Sequence, residues 1–131
     1  MKNCILCPDK LDSNLVILST GLSMVLANYY SKGMINLLIA PKRHVASMID
    51  LNTTEMTDFI EMTELAINQA MNELSVCGLA IVNCTNESSP HFCLGVIAWD
   101  ENDTPESIAN NQDLQPITAE KLSWIKDLFS K

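Results

Sequence analysis

From Asn52 to Cys77 the apolar residues recur at three- and four-residue intervals, as Met56, Phe59, Ile60, Met62, Leu65, Ala66, Ala70, Met71 and Leu74. That spacing gathers them on one side of an α-helix and does not suit a strand, where alternate residues share a face. Asn52 followed by Glu55 matches a capping box, with Leu51 placed as a hydrophobic staple. The helix is therefore expected to begin near residue 53 and to stop at Cys77-Gly78. On both sides of it the apolar runs are short. Residues 14–20 and 22–28 flank Gly21 as a β-hairpin, and residues 34–40 make a third strand closed by Pro41. Residues 79–83 and 91–99 make two more strands around the polar loop 84–90. One long helix set between strands predicts an α+β fold, an antiparallel β-sheet of about five strands packed by that helix. Residues 100–117 are polar and rich in turn formers, so they read as a surface excursion. Thr118 is the expected cap of a short C-terminal helix over 118–131 that turns Leu122, Ile125, Leu128 and Phe129 inward.

The chain has 131 residues, 47% of them hydrophobic and 18% charged, which suits one folded domain spanning 1–131 and excludes a disordered or low-complexity chain. Acidic residues outnumber basic ones by 16 to 8, and Arg43 is the only arginine. A net charge of −8 disfavours binding to a nucleic-acid backbone or an anionic membrane, both of which need clustered cations. It leaves room for a small local phosphate site. The apolar stretch 14–41 is interrupted by Ser19, Asn28, Ser31, Lys32 and Asn36, so no membrane span is expected. The N-terminus lacks the basic-then-apolar pattern of a signal peptide, which predicts a cytoplasmic protein.

Cys4, Cys7, Cys77, Cys84 and Cys93 are an odd number of cysteines for a reducing compartment, which argues against a disulfide framework. Cys4-x2-Cys7 can present two thiolates to one tetrahedral zinc at about 2.3 Å, but that is half a site. The chain owns two histidines, His44 and His91, so a Cys2His2 centre would have to use both, at a spacing unlike that of a zinc finger. The alternative is that the two cysteines are ordinary thiols near a frayed end and the histidines are merely half-buried. A redox Cys-x2-Cys pair is disfavoured, because such a pair opens a helix after a strand and no strand precedes Cys4.

The segment Leu37-Leu38-Ile39-Ala40-Pro41-Lys42-Arg43-His44-Val45 resembles the strand and Pro-Lys-x-His turn of histidine triad (HIT) proteins. Cys4-x2-Cys7, Asn28, the long helix, Ile81-Val82-Asn83 and the strand opening Pro90-His91 follow in HIT order, so the likeness covers residues 4 to about 99. It implies a HIT-like fold of the zinc-bearing branch, with Cys4, Cys7, His44 and His91 as the metal ligands. It also implies a purine nucleotide as ligand and a homodimer. Asn28 stands where the family contacts the ribose, Asn83 where an Asn approaches the α-phosphate, and Ser88 where a hydroxyl donates to phosphate. The other reading of these three is that Asn28 closes a strand while Asn83 and Ser88 fill a loop.

The triad itself, His-φ-His-φ-His-φ-φ with φ apolar, reads here His91-Phe92-Cys93-Leu94-Gly95-Val96-Ile97. The apolar alternation persists, but the nucleophile position is Cys93 and the third position is Gly95. The loop ahead of it is a few residues shorter than in the family and carries Glu87 where the family has Gln. A cysteine attacks phosphorus only as a thiolate, and neither a second arginine nor a histidine general acid is at hand. The expectation is therefore a zinc-containing, nucleotide- or phosphate-binding domain that has lost the family's nucleotidyl hydrolase or transferase activity. Two alternatives are an active nucleotide-phosphate hydrolase or transferase using Cys93, and a dimeric interaction module with no small ligand. Trp99, at the end of its strand, is placed either to stack on a base or to pack in the core.

Overall fold

The computed structural model describes residues 4–31, 33–73, 75–85, 90–104, 106 and 115–130. The strands β1 (Val16–Ser19), β2 (Ser23–Ala27), β4 (Ile35–Pro41), β5 (Gly78–Asn83) and β6 (Leu94–Trp99) form one antiparallel sheet in the order β1-β2-β4-β6-β5. The short β3 (Tyr30–Ser31) pairs with β7 (Gln115–Pro116), so the end of the expected surface excursion is a strand pair; residues 105 and 107–114 of it lie outside the described residues. The sheet is packed by α1 (Thr53–Met71) and α2 (Ala119–Phe129).

Local chemistry explains where the helices begin. The Asn52 side chain accepts from the Glu55 amide at 2.8 Å while the Glu55 carboxylate accepts from the Asn52 amide at 3.0 Å, which closes the capping box. Thr118 caps α2 by accepting from the Lys121 amide at 3.1 Å. The end of α1 differs from expectation. The helix stops at Met71, capped by Asn72, and Gly78 opens β5. The chain needs the intervening residues to turn back, because the Cys77 amide already donates to the Trp99 carbonyl at 2.9 Å and starts the ladder to β6. Gly78 is glycine for a different reason than a helix stop: a Cβ there would sit inside the indole of Trp99. That contact gives Trp99 its packing partner.

Strand alternation splits the sheet into two chemical faces. Val25, Leu37, Ile39, Val96 and Ala98 meet Phe59, Met62, Ala66 and Ala70 of α1, and Ile125, Leu128 and Phe129 of α2 join the same core. Leu122, expected inward as well, is only half-buried. Ile60, Leu65 and Met71, read from the sequence as part of the buried helical face, are exposed, so the stripe that α1 buries is narrower than its apolar spacing suggested. On the opposite face Met24, Leu26, Ala40 and Cys93 pack with Cys4 and Leu6 of the N-terminal segment. The sheet is thus covered by helices on one side and by residues 4–15 on the other. No helix among the described residues is long and apolar enough to cross a membrane.

Candidate metal centre and adjoining pocket

Four side chains from three separate segments converge at one edge of the second face. Cys4 and Cys7 share a tight turn in which the Cys7 amide donates to the Cys4 carbonyl at 3.3 Å, and Lys10 and Leu11 donate back to the Cys7 carbonyl at 3.0 Å. His44 follows β4 in the loop that Pro41 opens. His91 precedes β6 and is buried. All four ligand atoms lie within 4.8 Å of one another. Cys7 Sγ is 3.2 Å from His44 Nδ1 and 3.6 Å from His91 Nδ1, and Cys4 Sγ is 3.4 Å from His91 Nδ1. Bonds of about 2.3 Å to sulfur and about 2.05 Å to nitrogen at tetrahedral angles place neighbouring S and N roughly 3.6 Å apart, so these separations fit the edges of one coordination tetrahedron.

The orientation of His91 supports the same fit. Its Nε2 lies 2.7 Å from the Pro41 carbonyl, and since a carbonyl only accepts, Nε2 carries the proton. Nδ1 is left with its lone pair aimed at both sulfurs, the arrangement in which an outer hydrogen bond fixes a ligating imidazole. Burial lowers the pKa of His91, which favours the neutral, ligating form. Burial and the neighbouring Cys4 thiol push Cys7 up to about 11. Two sulfurs this close to each other resist joint ionisation unless a cation joins them.

The two histidine segments are also tied together. The Phe92 amide donates to the Val45 carbonyl at 2.6 Å, and the rings of His44 and His91 meet edge to face with centroids 4.9 Å apart. This bond explains why β6 starts at Leu94 and not at His91 as the alternation predicted: the amide that would have joined the ladder is taken by Val45. Arg43 fixes the loop from the other side. Its guanidinium donates twice to the Glu55 carboxylate, at 2.8 and 2.9 Å, and to the Asp50 carbonyl at 2.8 Å. Sequence reading noted Arg43 as the lone arginine and did not see this latch, which joins residues 12 apart through a capping box.

The degenerate triad occupies the next two rows of the sheet. Cys93 is 3% exposed, and burial, with smaller effects from Cys84 and Cys4, pushes its thiol up to about 12. Gly95 faces the same way two residues on. A Cβ at Gly95 would lie 2.6 Å from Cys84 Sγ and 3.0 Å from Val82 Cγ2, so the sulfur of Cys84 fills the space a side chain at position 95 would need. Cys84 was not singled out from the sequence. Only the register, with Asn83 opposite Leu94, brings it beside the triad positions.

A cavity of about 380 Å³ lies between the N-terminal segment and the sheet, walled by Leu6, Leu11, Leu15, Leu26, Leu38 and Tyr29, with Asn28 on its lining. Leu38 pairs with Gly95, so the cavity adjoins the triad row. Asn28 Oδ1 accepts from the Tyr30 amide at 3.0 Å. Asn83 lies at the end of β5, three strands from β2, and its Oδ1 accepts from the Thr85 amide at 3.0 Å and hydroxyl at 2.7 Å. Asn28 and Asn83 therefore do not meet in one pocket. Glu87 and Ser88 lie outside the described residues.

The sheet order, the single long helix and the short C-terminal helix define the fold of histidine triad proteins. Among solved structures, a hypothetical histidine triad nucleotide-binding protein from Sulfolobus tokodaii superposes with a TM-score of 0.74 at 14% identity, covering 96% of this chain and 89% of that one. A zinc-bound histidine triad family protein from Mycobacterium smegmatis gives 0.71 at 14% identity, covering 98% and 94%. The diadenosine triphosphate hydrolase of Plasmodium falciparum, in complex with cyclomarin A, gives 0.67 at 14% identity, covering 91% and 76%. No family model and no curated protein sequence matches the chain.

Proposed function

We propose that this chain is a zinc-containing nucleotide-binding module built on the HIT fold, in which the hydrolase or transferase chemistry of that fold has been given up. The observation that carries the reading is the state of the triad row. The sulfur at the nucleophile position is sealed from solvent, and the third position has no room for an imidazole because Cys84 occupies it. Phosphoryl transfer from a nucleotide needs an ionised nucleophile and a proton donor for the leaving group, and this row supplies neither. Zinc is favoured as the metal by a Cys2His2 donor set at tetrahedral spacing, and by the zinc in the Mycobacterium smegmatis neighbour. Held by Cys4, Cys7, His44 and His91, it would act structurally: four protein donors leave no open position for a substrate.

Nucleotide binding is supported by the cavity beside Leu38 and Gly95. Its size suits a small ligand, its walls are apolar enough for a base, and Asn28 offers an amide at its side. A second copy of the chain is the proposed partner. β5 is an edge strand with Ile81 and Val82 exposed, and Ile60 and Leu65 are exposed on α1. The proposed setting is the cytoplasm, on the cysteine usage and the acidic surface.

Adenosine 5′-phosphoramidate and AMP together test the reading. AMP at a hundred times its Kd is expected to stabilise the protein by about 2.7 kcal/mol while the phosphoramidate is not turned over. Turnover abolished by Cys93→Ala would establish the thiol enzyme instead, and absence of AMP stabilisation would leave only the interaction module.

A further inference from the structure

The second, unassigned pair of sulfurs lies next to the metal cluster without belonging to it. Asn83 pairs with Leu94, and the next step of the ladder puts Cys84 opposite Cys93, with the Cys84 amide donating to the Cys93 carbonyl at 3.1 Å. Residues directly opposite in an antiparallel pair have Cα atoms roughly 5.5 Å apart, inside the span that a disulfide bridges. Both sulfurs are on one face. Cys93 and Gly95 alternate to the same side of β6, and the Cys84 sulfur sits over Gly95. Both belong to the apolar cluster of Met24, Leu26 and Ala40. The absence of a side chain at Gly95 leaves the space in which the Cys84 sulfur rests.

We propose that Cys84 and Cys93 form an oxidisable dithiol, a modification site that a low-molecular-weight disulfide such as glutathione disulfide converts to an intramolecular disulfide. Cys84 is half-buried and is the sulfur a reagent reaches first, whereas Cys93 is closed off. The Cys84 thiolate attacks one sulfur of glutathione disulfide, forming a mixed disulfide and expelling one glutathione thiolate. Cys93 attacks the Cys84 sulfur, forming the protein S–S bond, and its proton passes to the second glutathione sulfur, which departs as the thiol. Two cysteine thiols are oxidised, one glutathione disulfide is reduced by two electrons, and two glutathione thiols leave. The product closes a loop that contains His91. The inference requires neither the metal nor the nucleotide reading, since none of the four clustered ligands takes part.

The test is incubation of the full chain, with zinc present, in excess glutathione disulfide, followed by acid quench, alkylation and cleavage at acidic residues. Glu87 lies between the two cysteines, so the bridge appears as two peptides joined by a disulfide. Expected is the joint loss of alkylation at Cys84 and Cys93, reversed by dithiothreitol, with a simple glutathione adduct at the exposed Cys77 as internal control. In Cys93→Ser a persistent glutathione adduct at Cys84 is expected, and in Cys84→Ser an unmodified Cys93. The proposal is overturned if Cys77 reacts while Cys84 and Cys93 both remain alkylatable. It is equally overturned if the native chain stalls with glutathione on Cys84, or if the only internal disulfide joins Cys4 to Cys7.

Discussion

Replacing Gly95 by alanine measures directly how fully Cys84 occupies the third triad position. The new methyl would stand 2.6 Å from Cys84 Sγ and 3.0 Å from Val82 Cγ2, against an optimal separation of about 3.5–4.0 Å between carbon atoms, so the sulfur must retreat by roughly 1 Å. Overpacking of this kind costs about 1–3 kcal/mol, and the reduced freedom of the unfolded chain returns about 0.4–1 kcal/mol. The net expectation is a loss of about 1–2 kcal/mol. In a Cys84→Ala background the sulfur is gone and only the Val82 methyl stays close, so the same substitution should be nearly neutral. The coupling between the two sites should then be about 1–2 kcal/mol, well above the ~0.5 kcal/mol at which independent sites add. Urea unfolding reads it out. With a slope of about 1.5 kcal/mol/M, a loss of 1.5 kcal/mol moves the midpoint by about 1 M, and the slope itself should not change. Equal cost of Gly95→Ala in both backgrounds would refute the claim that Cys84 fills this space, and with it the steric account of why no imidazole stands at position 95.

Other consequences are equally open to measurement. Bonding to Arg43 and then to the Asn52 amide holds the Glu55 carboxyl at about 2, down from its ordinary 4.5, so its contribution to stability is complete above pH 4.5 and disappears as the pH falls through about 2. Arg43→Gln should flatten acid unfolding in that window, and an unchanged pH profile would show that the latch carries no linkage. Gly78→Ala drives a methyl into the indole of Trp99 and should destabilise by about 1–3 kcal/mol with altered tryptophan fluorescence; native stability with unchanged emission would contradict the contact. Removing bound metal with a chelator should lower the melting temperature of the native protein but not of Cys4→Ser or His91→Ala, whose metal content, measured by elemental analysis, should fall below one per chain.

The parts of this fold that could be read from the sequence are those decided within a few residues. The start of α1 rests on Asn52 and Glu55, three positions apart, and the start of α2 on Thr118, and both caps form as their spacing implied. Boundaries set by distant partners were misplaced. The end of α1 is decided by the Cys77 amide reaching Trp99, and the start of β6 by the Phe92 amide reaching Val45. The convergence of Cys4, Cys7, His44 and His91 was foreseen through the scarcity of histidine and the resemblance to HIT proteins, since no local spacing joins the cysteine turn to histidines 37 or more residues away. Cys84 and the Arg43–Glu55 latch escaped notice for a common reason: each depends on register or tertiary closure, and neither leaves a periodic trace. The pairing of Gln115–Pro116 with Tyr30–Ser31 was missed because two-residue strands carry no alternation.

The hydrogen bond between Phe92 and Val45 clasps the two imidazole-bearing segments to each other through backbone alone. The two sulfurs reach the same cluster on a different support, a terminal turn seated by apolar packing of Cys4 and Leu6 on the sheet. A cation held at this cluster would therefore meet nitrogens positioned by the strands and sulfurs positioned by the turn, and its loss would loosen the turn before it disturbed the sheet.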